Sequence, residues 1–268
     1  MKLDNIKIVF IDIDGTLVND NKEVTLTTKK SIKRIVDKGI YVVLVSGRDI
    51  IHTIEKSKLA NASNIVIATN GSEIFDYSKN EYIFRDVIDS DKVIKMWNYC
   101  IQNQIGLILK SNSFVYYNQY SLIIDGLQYK FVNDISLCDV YSISDFLIMS
   151  KDQNKIQDTS KFVDDLGLSV TSYSSSYLSS TNDDHNSLDV NNKNISKGIS
   201  IKYLLDYLNI KKEDSLCFGD FVNDLEMFNA SGVAVAMGNA SDEVKVHANY
   251  VTLTNNEDGV AHFLDNYL

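Results

Sequence analysis

The chain has 268 residues, 44% of them hydrophobic, and carries 26 Lys and Arg against 36 Asp and Glu, a formal net charge of −10. This size and composition suit one large domain or two modest ones, and the acidity argues against a nucleic acid or an anionic membrane as a partner. Cys100, Cys138 and Cys217 are too few and too scattered for a disulfide framework or a zinc site. With no signal-peptide pattern either, we expect a cytoplasmic protein; the oligomeric state is not predicted.

The first eighty residues alternate between predicted strands and predicted helices. Apolar runs at 6–13, 40–47 and 64–71 predict strands, because short β-branched stretches are typical of strands buried on both faces. Between them, apolar residues recur at helical spacing in 27–39, and 49–60 also reads as a helix. This alternation is typical of a parallel α/β sheet with right-handed crossovers.

From residue 81 to 192 the alternation breaks, and helices near 91–104 and 153–166 accompany segments with strand patterns. Those predicted strands lie at 106–111, 113–118, 145–150, 168–174, 177–182 and 187–192. After residue 192 the first pattern returns, with helices at 195–210, 223–232 and 240–248 and strands at 215–220, 233–238 and 250–254. The predicted fold class is therefore α/β: a Rossmann-like parallel-sheet core, residues 1–80 and 193–268, with an inserted α+β domain, residues 81–192.

The first candidate site is the sequence FIDIDGT, in which Asp12 and Asp14 come at the end of the first predicted strand. Ligands of open parallel sheets bind at the carboxyl ends of the strands. One such carboxylate can attack an electrophile while the other moves a proton, and Gly15 lets the backbone turn sharply. The alternative interpretation is an acidic turn that only ends the strand.

The second candidate is Ser46-Gly47-Arg48, directly after the second predicted strand. A hydroxyl and backbone N–H groups at a strand–helix junction can hold phosphate oxygens. Taken alone, however, a Ser-Gly pair at this place favours a simple turn.

The third candidate is Lys197, in the first turn of a predicted helix that begins after Ser196. A cation at a helix N-terminus is unfavourable with respect to the helix dipole, and a nearby anion would explain its presence. A solvated surface lysine is the alternative.

The fourth candidate is the sequence GDFVND, which again follows an apolar strand. Asp220 and Asp224 can converge on one site from the strand end and from the next helical turn. Carboxylate oxygens together with water suit Mg²⁺ rather than zinc. The alternative is an Asp that caps a helix with an acidic first turn.

These four motifs, in the order carboxylates, hydroxyl, lysine, carboxylates, resemble those of the haloacid dehalogenase-like superfamily. The sequence TNGSEI and the C-terminal segment that begins GDFVNDLEMF are similar to its Cof-type branch, whose cap domain is inserted at the same place. The resemblance covers essentially the whole chain and is weakest in the cap. Residue 221 is Phe where the family usually has a small residue, and VNNKN before Ile195 lacks the proline typical of the branch. Phe221 would narrow the substrate pocket.

The resemblance implies a Mg²⁺-dependent phosphatase of small phosphorylated metabolites, of the sugar phosphate, FMN or pyridoxal phosphate class, that works through an aspartyl-phosphate intermediate. Asp12 would be the nucleophile and a Mg²⁺ ligand. Asp14 would be the general acid/base and would offer its main-chain carbonyl to the metal. Asp14 would then have to titrate near the working pH, as the like charge of Asp12 beside it would allow.

The resemblance also implies how the phosphate and the metal are held. Ser46 and Lys197 would hold the transferring phosphoryl group, and Lys197 would neutralise Asp12. Asp220 would be the third protein ligand of Mg²⁺, and Asp224 would lie in or beside the outer shell of the metal. The residues that would border the substrate are Gly47, Arg48, Asn70, Gly71 and Asn223, the last of them contacting the phosphate.

Two other functions remain open. A phosphomutase could use the same Asp12, and a requirement for a bisphosphate would indicate it, although the Cof-like C-terminal segment argues against it. A sugar-phosphate-binding regulator without catalysis belongs to another class, and tight metabolite binding without phosphate release would indicate it. The four intact motifs favour the enzyme.

The inserted domain offers aromatic and histidine side chains that could contact a sugar or a planar ring. In alternating strands, half of such side chains face the helices of their own domain, so none is assigned to the site. The candidates are Tyr116, Tyr117, Tyr120, Tyr173, Tyr177 and His185.

Overall fold

The computed structural model describes residues 3, 5–121, 129–174 and 186–268. The chain forms two compact units. The first unit comprises Met1–Phe84 and Ser196–Leu268, and the second unit comprises Arg85–Ile195. Within the described ranges, every helix is too short or too polar to cross a lipid bilayer.

The N-terminal part of the first unit alternates strands and helices and then ends in two further strands. Its elements are β1 (Ile8–Asp12), α1 (Leu26–Asp37), β2 (Tyr41–Val45), α2 (Ile50–Ala60), β3 (Ile65–Ala68), β4 (Glu73–Asp76) and β5 (Glu81–Arg85). The three-residue segment Thr69–Gly71 after β3 has positive φ throughout, at 49°, 52° and 105°, a conformation that is unfavourable for a β-branched residue such as Thr69.

The described residues of the second unit form a mainly antiparallel sheet and two α-helices. Its elements are α3 (Ser90–Asn103), β6 (Gly106–Ser111), β7 (Val115–Tyr117), β8 (Tyr129–Phe131), β9 (Ile143–Ser150), α4 (Gln153–Asp165), β10 (Leu168–Ser174) and β11 (Asn186–Asn192). The strand order is β10-β11-β9-β6-β7-β8; β7 and β8 pair in parallel, and the other pairings between described strands are antiparallel. Trp97 and Val163 of the helices pack with Phe146 and Val190 of the sheet in one apolar cluster. The predicted strand at 177–182, Tyr177 and His185 lie outside the described residues.

The C-terminal part of the first unit resumes the alternation. Its elements are α5 (Lys197–Tyr207), β12 (Ser215–Gly219), α6 (Leu225–Ala230), β13 (Val233–Ala236), α7 (Asp242–Lys245), β14 (Tyr250–Val251) and α8 (Gly259–Tyr267). The sheet of this unit has the order β14-β13-β12-β1-β2-β3-β4-β5. Strand pairing is parallel from β14 to β3 and antiparallel between β3 and β4.

Strand β1 lies at the centre of this sheet, between β12 and β2. Its residues alternate between two apolar layers: Val9 and Ile11 pack with α1 and α8, whereas Ile8 and Phe10 pack with α5 and α6. Burial on both faces explains the continuous apolar run that predicted the strand. Because the three strands are parallel, the residues that follow β1, β2 and β12 meet at one edge of the sheet.

Strands β4, β5 and β8 and helix α8 were not predicted from the sequence. The helix follows Asp258, which has a φ of 56° and makes no side-chain capping hydrogen bond, so the usual start signal is missing. It is held instead by packing, with Phe263 and Leu264 buried against the layer that contains α1. Strand β8 has exposed residues and only three members, which is too few for a period to be recognised.

Helix α2 begins at an N-cap that also pairs with a histidine. Asp49 Oδ1 accepts from the backbone N–H groups of Ile51 and His52, and Asp49 Oδ2 lies 2.6 Å from His52 Nδ1. This hydrogen bond to Asp49 raises the pKa of His52 from its ordinary value and outweighs the opposite effect of burial. A raised pKa means that the protonated ring stabilises the folded state.

Replacing His52 with Gln is expected to lower the melting temperature more at about pH 5.5 than at about pH 9, since His titrates near pH 6.5 when unfolded. The stabilisation is complete below the unfolded pKa and is lost as the pH rises through the folded one. Thermal unfolding of both proteins across this range measures the difference. A gap between the two melting temperatures that stays constant with pH would contradict the pairing.

Candidate active site

Three carboxylates and one ammonium group meet where β1 and β12 end. Asp12, Asp220 and Asp224 each offer one oxygen atom, and these three atoms lie within 4.8 Å of one another. Lys197, in the first turn of α5, places Nζ 2.6 Å from Asp12 Oδ1 and 2.7 Å from Asp224 Oδ1. The lysine is 4% exposed, which excludes the solvated surface lysine that the sequence left open.

The turn after β12 is folded by its own hydrogen bonds. Asp224 Oδ2 accepts from the backbone N–H groups of Asp220, at 3.0 Å, and Phe221, at 3.1 Å. Gly219 is required in this arrangement, because a Cβ atom there would lie 2.6 Å from the Cβ of Asp224. One oxygen of Asp224 therefore holds the backbone and the other meets Lys197, while Asn223 lies half-buried in the same turn.

Burial and mutual repulsion set the electrostatics of this cluster. Burial raises the pKa of Asp12 well above its ordinary value; the charge of Lys197 opposes this shift, and the charges of Asp224 and Asp220 add to it. Burial and the charge of Asp224 raise the pKa of Asp220 to about 7. Burial would lower the pKa of Lys197, but the charges of Asp12 and Asp224 raise it, so the ammonium group stays charged. Without a further cation, the cluster carries more negative charge than Lys197 can neutralise.

Asp14 lies outside the three-carboxylate cluster and pairs with Arg48. Arg48 Nε donates to Asp14 Oδ2 and Arg48 Nη2 donates to Asp14 Oδ1, both at 2.7 Å, and Lys22 Nζ lies 3.4 Å from Oδ1. Burial alone would raise the pKa of Asp14, but the hydrogen bonds and charge of Arg48 and the charge of Lys22 lower it. The expectation that Asp14 titrates near the working pH is therefore wrong for this state, because Arg48 stabilises the carboxylate.

The loop after β1 is fitted closely against Asp220. Thr16 Oγ1 donates to Asp220 Oδ1 over 2.7 Å. Gly15 has a φ of 79°, and a Cβ atom there would overlap the Asp220 carboxylate. Glycine is thus needed at position 15 both for the backbone conformation and for the close approach.

The segment 46–48, after β2, is hydrogen-bonded to the segment Thr69–Gly71, after β3. Asn70 N donates to the Ser46 carbonyl over 3.0 Å, and Thr69 N donates to the Arg48 carbonyl over 2.8 Å. A Cβ atom on Gly47 would lie 2.8 Å from Asn70 Oδ1. Ser46 Oγ accepts from Arg48 N over 3.1 Å and keeps its own O–H as a donor.

The segment Thr69–Gly71 also contacts the N-terminus of α5. A side chain on Gly71 would overlap the Ser196 carbonyl, and Ser200 Oγ donates to the Gly71 carbonyl. Because Ser196 is the N-cap of α5, this contact places the first turn of the helix, and with it Lys197, relative to the segment after β3. The structure thus brings all the site residues that were predicted from the sequence to one edge of the sheet of the first unit.

Two side chains of the site were missed by the sequence reasoning. Thr16 is part of the first motif, so its proximity to Asp220 could have been expected from the strand order. Asn239 follows β13, the neighbour of β12, and its Nδ2 donates to the Gly15 carbonyl over 2.8 Å. The signal for Asn239 is weaker: a polar residue just past the apolar run VAVAMG, at the same edge of the sheet.

Comparison with known proteins identifies the class of the chain. A family model described as haloacid dehalogenase-like hydrolase matches residues 9–264. The chain belongs to this family. The resemblance inferred from the four motifs is therefore confirmed, and the chain is a haloacid dehalogenase-like phosphatase, a phosphoric monoester hydrolase.

The relatives of this haloacid dehalogenase-like chain are similar along their whole length. The 5-amino-6-(5-phospho-D-ribitylamino)uracil phosphatase YcsE of Bacillus subtilis is 30% identical over 258 residues, which are 96% of this chain and 94% of that protein. A phosphoglycolate phosphatase of Methanobrevibacter smithii is 25% identical and covers 98% of this chain and 99% of its own. Relatives with these names are phosphatases of small phosphorylated compounds.

Solved structures confirm the predicted α/β class with its parallel-sheet core. A haloacid dehalogenase-like hydrolase from Bacteroides thetaiotaomicron superposes with a TM-score of 0.82 at 24% identity and covers 97% of this chain and 98% of that one. A haloacid dehalogenase-like hydrolase from B. subtilis gives the same TM-score and identity, with 98% and 100% covered.

Members of this family typically use a divalent metal, and the carboxylate cluster has the chemistry to bind one. Within the described ranges, the three side chains that converge here offer only oxygen atoms, which suits a hard cation such as Mg²⁺. A bound divalent cation would offset the excess negative charge of the cluster and would lower the raised pKa values of Asp12 and Asp220. The residues present therefore fit a divalent metal.

Proposed function

We propose that this chain is a Mg²⁺-dependent phosphatase of small phosphorylated metabolites, with Asp12 as the nucleophile. The observation that carries the proposal is the buried contact of Lys197 with Asp12 and Asp224 beside Asp220. This contact supports the proposal, because a carboxylate nucleophile beside a fixed cation could offset the charge of a phosphate monoester.

Asp12, Asp220 and the main-chain carbonyl of Asp14 would hold the metal ion, and Asp224 would lie in or beside its outer shell. When bound, Mg²⁺ supplies positive charge that offsets both the nucleophile and the phosphate oxygens. Ser46 and Lys197 would hold the transferring phosphoryl group.

The proposed reaction has two steps on Asp12. In the first, a carboxylate oxygen of Asp12 bonds to phosphorus, the bond from phosphorus to the leaving oxygen breaks, and Asp14 gives that oxygen a proton. In the second, the oxygen of a water molecule bonds to phosphorus while the water gives a proton to Asp14. The bond from phosphorus to Asp12 breaks, so inorganic phosphate is released and the Asp12 carboxylate is restored. The bidentate contact with Arg48 keeps Asp14 ionised, as the second step needs. For the first step that contact must open, so that Asp14 can carry a proton.

Several substrate classes are consistent with this chemistry. The name of YcsE specifies a phosphorylated ribitylamino-pyrimidine as its substrate, and the relative from M. smithii is named for phosphoglycolate. Sugar phosphates, FMN and pyridoxal phosphate belong to the same broad group of small monoesters. We propose that the second unit is the cap domain that selects among them, and that Gly47, Arg48, Asn70, Gly71 and Asn223 border the substrate in the first unit.

The test is the release of inorganic phosphate from para-nitrophenyl phosphate and from a panel of small phosphomonoesters, with Mg²⁺ and with EDTA. We expect release with Mg²⁺, loss with EDTA and recovery when Mg²⁺ is restored in excess. The ranking of the panel would identify the substrate class. No release from any compound would contradict the proposal. A bisphosphate-primed isomerisation assay would then separate the phosphomutase from the binding-only regulator.

A further inference from the structure

The loop that follows Asp14 contains a glycine that no residue with a stiffer backbone can replace. Gly15 must remain glycine, since a Cβ atom there would overlap Asp220. Glycine is the residue with the greatest backbone freedom, so its flanking peptide groups can rotate most easily. Those peptide groups carry the main-chain carbonyl of Asp14 on one side and Thr16, which donates to Asp220, on the other.

Asn239, which follows β13, binds the Gly15 carbonyl. Its Nδ2 donates to the Gly15 carbonyl over 2.8 Å, and its Oδ1 accepts from the backbone N–H of Asn255 over 3.0 Å. One partner is an acceptor and the other is a donor, so the two contacts fix which end of the amide faces Gly15. Gly238 is held in turn, because its N–H donates to the Leu253 carbonyl over 3.0 Å.

Asn255, whose backbone N–H binds Asn239, is itself hydrogen-bonded to the loop after β1. Asn255 is buried, and its Nδ2 donates to the Val18 carbonyl and to Asp20 Oδ1, both over 3.1 Å. Asn256 makes a second contact farther along, with its Nδ2 2.8 Å from Asp20 Oδ2. The loop is thus held at Gly15 by Asn239 and at positions 18 and 20 by the segment after β14.

We propose that Asn239 is a positioning residue for catalysis. By fixing the Gly15 carbonyl, its side-chain amide holds the Asp14 main-chain carbonyl and the Thr16 hydroxyl in place beside Asp220. This inference rests on the proposed phosphatase function, because it assigns Asn239 to the alignment of the metal-binding and proton-transfer groups. Its side chain contacts the Gly15 carbonyl and the backbone N–H of Asn255.

The test compares three variants: Asn239→Asp, Asn239→Ala and, as a matched control, Asn256→Ala. Asn239→Asp keeps the size and the acceptor toward Asn255 but places an oxygen against the Gly15 carbonyl. Asn256→Ala removes another exposed amide, which binds the same loop at Asp20. The measurements are kcat and KM with para-nitrophenyl phosphate, the melting temperature, and Mg²⁺ affinity from calorimetry on each protein without substrate.

For both Asn239 variants we expect Mg²⁺ affinity to fall about tenfold and kcat to fall about 10- to 100-fold, the scale of one misplaced hydrogen-bonding group. KM should change by less than about threefold. Asn256→Ala should resemble the wild type in Mg²⁺ affinity, kcat and KM. Asn239 variants that match Asn256→Ala in Mg²⁺ affinity and kcat would overturn the proposal. So would a loss of activity that follows the melting temperature and leaves Mg²⁺ affinity unchanged.

The experiment distinguishes a failure of the proposed phosphatase function from a failure of the role proposed for Asn239. A wild-type protein that binds Mg²⁺ but releases no phosphate would contradict the phosphatase, whereas the calorimetry would still decide whether Asn239 positions the metal-binding loop. If Asn239→Ala does not fold, the isosteric Asn239→Asp is compared with the wild type and with Asn256→Ala instead.

Discussion

Replacing Asp12 with Asn is expected to lower phosphate release by at least about 10³-fold, because an amide cannot serve as the nucleophile. The folded state should not suffer. Burial raises the pKa of Asp12 although the charge of Lys197 opposes the shift, so the ionised carboxylate lowers the free energy of unfolding, and in the variant Lys197 keeps Asp224 as its partner. Asn keeps the shape and removes the charge. In EDTA the melting temperature of Asp12→Asn should therefore equal or exceed that of the wild type.

The matched control is Asp37→Asn, which makes the same chemical change at an exposed carboxylate paired with Lys33 on α1. Phosphate release from para-nitrophenyl phosphate and thermal unfolding in EDTA are measured for all three proteins. Asp37→Asn should retain full activity. Turnover by a clean preparation of Asp12→Asn at a measurable fraction of the wild-type rate would rule out Asp12 as the nucleophile.

Replacing Lys197 with Met is expected to abolish activity and, in EDTA, to destabilise the fold by about 3–5 kcal/mol. Removing one partner of a buried ion pair leaves the remaining charges without compensation. Here Asp12 and Asp224 would both lose their contacts of 2.6 and 2.7 Å with the ammonium group. For a chain of this size the loss corresponds to a melting temperature lower by roughly 6–20 °C.

Mg²⁺ distinguishes this electrostatic role from simple packing. Without Lys197, a divalent cation meets three carboxylates and no competing ammonium group, so Mg²⁺ should raise the melting temperature of Lys197→Met more than that of the wild type. Lys33→Met, at an exposed pair on α1, is the control and should change stability by about 1 kcal/mol or less. Equal Mg²⁺-induced shifts in Lys197→Met and the wild type would show that Lys197 does not neutralise the cluster.

The sequence was sufficient to predict most of the elements and the convergence of the four motifs. Parallel strands such as β1 and β12 are buried on both faces, and their apolar runs are visible without any knowledge of contacts. The polar residues Asp12, Ser46 and Asp220 come directly after such runs. Because parallel strands end at a common edge, their convergence followed from the pattern alone.

The elements missed by the sequence reasoning are those held mainly by tertiary contacts. Helix α8 lacks a start signal and is stabilised by the apolar layer that it shares with α1. Strand β4 pairs antiparallel beside β3 after the strained segment Thr69–Gly71, which no local pattern indicates. In both cases the stabilising partner is supplied by another segment of the chain.

The sequence by itself determined the α/β class, the order of the four motifs and the expectation that their carboxylates and lysine meet, because these depend on local patterns and on the general geometry of parallel sheets. Only the tertiary structure decided which charged side chains of the site pair with one another. It places Arg48, not the charge of Asp12, in control of Asp14, and it sets Lys197 between Asp12 and Asp224. The physical reason is that a pKa and an ion pair depend on distances of a few ångströms between residues far apart in the chain, which no spacing in the sequence encodes.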